Sequence, residues 1–148
     1  MIALYNRAVD WIGGRIPEGL MLLAVRIALG GVFWRSARTK VEEGTTLTIS
    51  ETTYFLFQEE YAGVPLPPEF AAPLAFYAEH LFPALLFVGL LSRVSAVALL
   101  VMTLVIQVFV YPDAWWPVHS LWVAMAAVII VRGPGIFSLD HLLAGRRR

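Results

Sequence analysis

The stretch from Ala72 to Leu91, APLAFYAEHLFPALLFVGLL, is the feature that most constrains the fold of this chain. It approaches the roughly 20 apolar residues needed to cross a bilayer, yet Glu79 and His80 lie near its middle. Because a charge at the bilayer centre costs roughly 3 kcal/mol on insertion scales, such residues are usually paired and mark a functional site. Pro83 has no N–H to donate to the carbonyl of Glu79, four residues earlier. The stretch therefore predicts a polar site inside a membrane bundle.

Composition supports a membrane protein and excludes several other classes. Of the 148 residues, 59% are hydrophobic, against about 45–50% in ordinary soluble domains. The formal net charge is zero and the basic residues form no stripe, so no nucleic-acid partner is expected. The chain has no cysteine, which excludes disulfides, thiolate metal ligands and a CxxC redox motif. We predict one domain over residues 1–148 and no metal site.

Four hydrophobic segments predict an all-α fold, a four-helix transmembrane bundle. The spans are expected at about residues 19–36, 70–91, 94–111 and 117–132. Between the first two spans, Ser50 to Tyr61 has the pattern of an amphipathic helix, with Ser50 at its N-cap and Tyr54, Phe57 and Tyr61 on one face. We expect this helix on the outer side, lying on the membrane surface or covering the bundle. Phe137 to Leu143 is expected to form a last amphipathic turn capped by Ser138.

Basic residues in the short loops predict the orientation in the membrane. An even number of spans puts both termini on one side, and that side carries most of the positive charge, namely Arg7, Arg15, Arg93, Arg132 and Arg146–Arg148. The opposite side carries Arg35, Arg38 and Lys40 within a connection rich in glutamate. The positive-inside rule therefore predicts that both termini lie in the cytoplasm.

Arg26 and Glu79 are the candidate partners in an intramembrane ion pair. At about 1.5 Å per helical residue, Arg26 lies roughly 12 Å above the start of the first span and Glu79 roughly 15 Å from the opposite face. In a hydrocarbon core of about 30 Å these depths nearly coincide. If the two residues were paired, neither charge would be buried alone in the hydrocarbon core. The pair is either part of a ligand site or a lock that fixes helix packing.

Four further polar residues complete the predicted site. Gln107, His119 and Asp113 fall at progressively outer depths and would line a funnel that opens outward. His80 is rotated by about 100° from Glu79 on the helix, so we expect it to face a different neighbour. His119, at a helix start near the interface, is more simply a hydrogen-bonded histidine than a ligand. Since the depths of His80 and His119 differ by more than about 10 Å, a shared metal or haem site is disfavoured.

The residues just described, with several short motifs, resemble the DoxX family of membrane proteins. The resemblance covers roughly Gly19 to Leu143. Its motifs are Arg26-Ile-Ala-Leu-Gly-Gly, Ala78-Glu79, Gly89-Leu-Leu-Ser-Arg93 and Gly133-Pro-Gly-Ile-Phe-Ser-Leu-Asp140. The run from Phe109 to Trp115, with His119 and Trp122, is most similar to the HvfX-type members associated with metal-stress peptide clusters.

This resemblance implies a four-helix inner-membrane protein. Relatives are linked to thiosulfate:quinone oxidoreductase complexes, to an oxidoreductase complex of oxidative-stress defence, and to modified-peptide clusters for copper. The resemblance supplies no catalytic residues to carry over. We therefore expect an accessory subunit more than an enzyme; if it is an enzyme, it would be a subunit of a quinone-linked oxidoreductase.

Three functions follow as hypotheses. In the first, the protein is an accessory membrane component of a redox or stress-response system, with a quinone or a similar apolar ligand in its polar-centred bundle. In the second, it is a docking or export partner for a secreted peptide or enzyme on the outer side. In the third, it is a small transporter or metal handler using Glu79, His80 and His119. The expected partners are the lipid bilayer, an outer-side protein or peptide, and a second copy of the chain.

Overall fold

The structure, a computed structural model, describes residues 2–145 and is built from helices. Arg146–Arg148, predicted to help set the topology, lies outside the described residues. The predicted all-α class is confirmed. The helices are α1 (Ile2–Ile12), α2 (Arg15–Arg38), α3 (Glu51–Glu59), α4 (Pro68–Val88), α5 (Ser92–Phe109), α6 (Ser120–Arg132) and α7 (Leu139–Gly145).

Within residues 2–145, four helical segments are long and apolar enough to cross a membrane. They are Arg15–Arg38, Pro68–Val88, Ser92–Phe109 and Pro112–Arg132. The predicted four-span bundle with a helix between the first and second spans is therefore confirmed. The side chains that these helices turn away from one another are apolar, as lipid-facing surfaces must be, and include Leu20, Ile27, Leu74, Leu81, Val97, Leu104 and Leu121.

Two spans are longer than the sequence predicted. The first begins at Arg15, with Pro17 inside its opening turn, where a missing N–H is tolerated. The fourth begins at Pro112 because the aromatic segment that precedes its predicted start at residue 117 is itself helical. It forms a 3₁₀ turn over Pro112–Ala114 and a π-helical turn over Trp115–His119, and it continues directly into α6.

The core of the bundle lies where α2, α4, α5 and α6 meet. Its buried members are Leu29, Phe33, Leu86, Ala96, Leu99, Ala126 and Ile129. Helix α2 packs against α4 and α6, and α5 packs against the same two helices. Burial of these side chains against one another fixes the four spans as a single bundle.

The two ends of the bundle differ in construction. The end of the bundle that contains residues 39–67 and 110–117 is called the loop end. The opposite end, where α2 and α5 begin and where α4 and α6 end, is called the terminal end. At the terminal end, α4 stops at Gly89 in the left-handed conformation (φ 72°). Asp140 of α7 accepts hydrogen bonds from the backbone N–H groups of Leu91 and Ser92, at 2.8 and 2.9 Å. The predicted cap of the last helix is confirmed, since Ser138 Oγ accepts the N–H of His141.

Helix α3 covers the loop end of α4. Phe57 is buried against Ala71 and Ala72, and Tyr61 stacks on Phe57 with ring centroids 4.4 Å apart. The aromatic face predicted from the sequence is thus turned toward the bundle, which makes α3 a cover for it. Phe55, on the other face, is 65% exposed.

Candidate ligand site between helices α3, α4 and α5

Glu79 forms an ion pair with Lys40 at the loop end of the bundle. Lys40 Nζ lies 2.7 Å from Glu79 Oε2, and the two side chains are 6% and 4% exposed. Lys40 also donates to Ser36 Oγ at 2.8 Å. Lys40 lies two residues past the end of α2, and its side chain reaches Ser36 in the last turn of that helix and the carboxylate of Glu79 on α4. A buried carboxylate is thereby held in a charge-assisted hydrogen bond.

The predicted ion pair between Arg26 and Glu79 is wrong. Arg26, fully buried, donates Nη1 to the carbonyl of Leu86 at 2.8 Å and Nη2 to the carbonyl of Phe137. Its charge lies at the C-terminal turn of α4, where the helix dipole favours a cation. Arg26 thus ties α2 to the end of α4 and to the segment before α7.

The register of α2 against α4 explains the correction. A side-chain carbon on Gly30 would touch Phe87, and Trp34 packs edge-on against His80 with centroids 5.5 Å apart. In this antiparallel register Arg26 lies opposite Gly89, while Glu79 lies opposite the last turn of α2. Depth counted from helix ends misjudged this offset because it takes the two helices to end at the same level, whereas α2 extends past the end of α4 at the terminal end.

A cavity of about 240 Å³ opens beside Glu79, between α4 and α5 and beneath α3. We call it the loop-end cavity. Its polar lining residues are Glu79 and Tyr61. The remaining walls are apolar, and the side chains that form them are Phe57, Val64, Leu66, Ala71, Leu74, Ala75, Ala78, Val101, Met102, Val105 and Ile106. A chamber whose surface is almost wholly apolar, with Glu79 and Tyr61 in its wall, suits an apolar ligand that carries one polar group.

Tyr61 is kept neutral in this setting. Burial raises the pKa of the Tyr61 phenol above its usual 10.0, and the negative charge of Glu79 raises it further. Tyr61 therefore stays a hydrogen-bond donor at any physiological pH. At the rim, Tyr111 donates to Glu60 Oε2, and this hydrogen bond raises the pKa of Tyr111.

His80 faces a different neighbour from Glu79, as its angular position suggested. Its Nδ1 lies 2.7 Å from the carbonyl of Phe76, and its ring packs against Trp34 and Phe76. His80 Nε2 is buried without a hydrogen-bond partner among the described residues. His80 is not among the residues that line the loop-end cavity.

Gln107 and His119 come together at the loop end, on the other side of α5. His119 Nδ1 lies 2.7 Å from Gln107 Oε1, and Gln107 Nε2 donates to the carbonyl of Pro112 at 2.6 Å. His119 also packs against Trp122 with centroids 5.0 Å apart. These contacts hold the π-helical turn against α5, while Asp113 is exposed. The six predicted site residues therefore fall into separate groups.

Sequence reasoning missed Lys40 and Tyr61 as members of the site. Hydropathy ends the first span at residue 36 and so places Lys40 in the outer loop. The sequence pattern places Tyr61 only on the aromatic face of the amphipathic helix. No local signal in the sequence indicates Lys40, because it lies beyond the end of α2 and reaches Glu79 only through the packing of α2 against α4.

The fold and this site define an integral membrane protein, a four-helix bundle with an ionisable pair beneath a covering helix. The sequence profile of the DoxX family matches residues 21–112, well over half of the chain, and the protein belongs to that family. No curated protein and no solved structure gave a significant match.

Proposed function

We propose that this DoxX-family protein binds a membrane-soluble quinone, or a ligand of similar shape, in the loop-end cavity. The observation that carries the proposal is the placement of Glu79 and Tyr61 in an otherwise apolar chamber between α4 and α5. We further propose that the protein serves as an accessory component of a redox or stress-response system in the inner membrane, and that it is of the HvfX type.

The cavity matches the chemistry of a quinone head group. Quinone carbonyls accept hydrogen bonds, and the neutral phenol of Tyr61 can donate one. The reduced, quinol form has hydroxyl groups that donate, and the carboxylate of Glu79 can accept. The apolar walls on α4 and α5 suit the hydrocarbon tail, since both helices also face the lipid.

Lys40 is the positioning residue of this site. Its ammonium group holds the carboxylate of Glu79 in place at 2.7 Å and is itself anchored on Ser36. A bound quinone would supply the two-electron redox chemistry; the contribution of this chain is to bind, orient and exchange a proton at Glu79. The supply of protons would come from the loop end, where Tyr111 and Glu60 are exposed.

Orientation follows from the charge distribution. Arg93 and Arg132 lie at the terminal end, so the positive-inside rule supports a cytoplasmic terminal end and an outer loop end. The loop-end cavity would then face the outer half of the membrane.

The test is equilibrium binding of a tritiated, decyl-tailed benzoquinone in its oxidised and reduced forms to the protein in detergent micelles. Tyr61→Phe removes the donor and should weaken the oxidised form about 3- to 10-fold, the usual worth of one neutral hydrogen bond. Glu79→Gln removes a charged acceptor and should weaken the reduced form about 10-fold or more.

A matched pair of filling variants locates the site. Ala78 lines the cavity, so Ala78→Phe should abolish binding of both forms. Ala84 lies on the same helix, exposed and away from the cavity, so Ala84→Phe should leave binding intact. Equal binding by Ala78→Phe and the parent protein, with the bundle still folded, would refute the proposal.

A second function, docking of an outer-side peptide or enzyme, is favoured by one observation. Phe55 is 65% exposed on the outer face of α3, beside the acidic residues Glu51 and Glu59. The buried faces of Phe57 and Tyr61 are committed to the bundle, so docking would rest on Phe55. Phe55→Ser should then abolish co-purification of the partner and leave quinone binding unchanged; retained co-purification would count against docking.

A further inference from the structure

A second cavity, of about 350 Å³, lies at the terminal end of the bundle. We call it the terminal-end cavity. It is formed where α2 and α5 begin and α6 ends, and the Gly133-Pro134-Gly135 turn closes one side. Three arginines, Arg15, Arg93 and Arg132, line it together with Glu18 and Asp140.

Both acidic residues of the cavity already have partners. Glu18 forms a salt bridge with Arg132 across the cavity. Asp140 accepts the N–H groups of Leu91 and Ser92 at the start of α5, where the helix dipole favours a negative charge. Neither carboxylate is therefore engaged with the two remaining arginines.

Arg15 and Arg93 are the cations left over. Among residues 2–145, neither forms a salt bridge. Arg93 is held in place by donating Nε to the carbonyl of Ile130 at 2.9 Å, at the C-terminal end of α6. Gly133 leaves room for this guanidinium, because a side-chain carbon there would lie 3.0 Å from Arg93 Nη2.

We propose that the terminal-end cavity binds a phosphate group, with Arg15 and Arg93 as its ligands. A guanidinium matches phosphate oxygens in geometry and charge. The cavity also lies at the end of the bundle, at the depth where lipid head groups meet a membrane protein. The phosphate belongs either to an anionic phospholipid or to a soluble phosphorylated compound, and the site is independent of the loop-end cavity.

The experiment compares full-length protein in nanodiscs of phosphatidylcholine with protein in nanodiscs that also contain phosphatidylglycerol. Retained lipid is measured by native mass spectrometry after release from the disc. In the phosphatidylcholine discs, inorganic pyrophosphate is titrated by calorimetry. A hydrogen bond from a charged donor to a bound anion contributes about 10-fold or more in affinity. Arg15→Gln should therefore weaken binding about 10-fold, and the double variant with Arg93→Gln about 100-fold.

Arg7→Gln is the matched control, because Arg7 is an exposed arginine on α1 that does not line the cavity. Arg15 forms no salt bridge within the described residues, so Arg15→Gln removes no ion pair from the bundle. Selective retention of phosphatidylglycerol with this variant pattern identifies a lipid head group, and pyrophosphate binding with the same pattern identifies a soluble phosphate ligand. If neither anion binds, or if Arg7→Gln weakens binding as much as Arg15→Gln, the proposal is overturned.

Discussion

Replacing Lys40 by methionine is the most informative perturbation of the ion pair. At 2.7 Å and an effective dielectric constant near 20, the gross attraction between two unit charges is about 6 kcal/mol. Desolvation of both ions offsets most of this gain, so the net contribution of the intact pair is small. Removal of one partner is different, since it leaves the other charge buried and unpaired. We expect Lys40→Met to lower the free energy of unfolding by about 3–5 kcal/mol.

A double-mutant cycle separates this pair from the one predicted by the sequence. Because Lys40 is the hydrogen-bond partner of Glu79, Glu79→Gln removes the stranded charge that Lys40→Met creates. The free energy of unfolding of the double variant should therefore be about 2 kcal/mol or more above the value expected from adding the effects of the two single substitutions. Arg26→Met should combine additively with Glu79→Gln, within about 0.5 kcal/mol, because Arg26 shares no partner with Glu79.

The assay is equilibrium unfolding in mixed dodecylmaltoside and dodecylsulfate micelles, followed by far-ultraviolet circular dichroism. The reasoning is refuted if Arg26 and Glu79 are coupled and Lys40 and Glu79 are additive. That result would restore the ion pair inferred from depth alone.

Variants of two glycines and of Tyr61 give further expected outcomes. Gly89→Ala should destabilise the bundle by about 2 kcal/mol or more, because Gly89 has a left-handed backbone conformation (φ 72°) and a side-chain carbon would lie 2.8 Å from Ser138 Cα. Gly31→Ala should instead stabilise the bundle by about 0.5–1 kcal/mol in the same unfolding assay, because a side-chain carbon there would meet nothing within 4 Å. In an alkaline absorbance titration, Tyr61→Phe should remove tyrosinate signal only well above pH 10, because burial raises the pKa of Tyr61 above 10.0. Since the unfolded tyrosine ionises first, the contribution of Tyr61 to stability is full below about pH 10 and falls as the pH rises further. A loss of signal centred near pH 10 would show that the phenol is not buried.

Much of the fold could be predicted from the sequence because it rests on local patterns. Apolar length identified the four spans, and a serine followed by an amphipathic stretch identified α3. Ser138, a residue type that caps helix N-termini, likewise marked the start of α7. These features depend on neighbours a few residues apart, which periodicity and capping rules report directly.

The contacts between helices could not be predicted in the same way. Whether Glu79 meets Arg26 or Lys40 depends on the position of α2 along α4. Because Arg26 lies opposite Gly89, ten residues from Glu79, a shift of about three turns would bring Arg26 level with Glu79. That offset is set by packing, such as Phe87 against Gly30. The extension of the fourth span to Pro112 likewise depends on a π-helical turn, which no composition rule indicates.

The most direct test of the central claim is photolabelling with an azido-quinone. The protein would be labelled in nanodiscs, with and without an excess of unlabelled quinone, and the modified peptides would be identified by mass spectrometry. Our account predicts that the label falls on the residues that surround the loop-end cavity and that unlabelled quinone prevents it. These residues lie between Phe57 and Leu66, in the first half of α4, and at positions 101–106 of α5. Competable label confined to the terminal-end cavity or to the surroundings of His119 would contradict it.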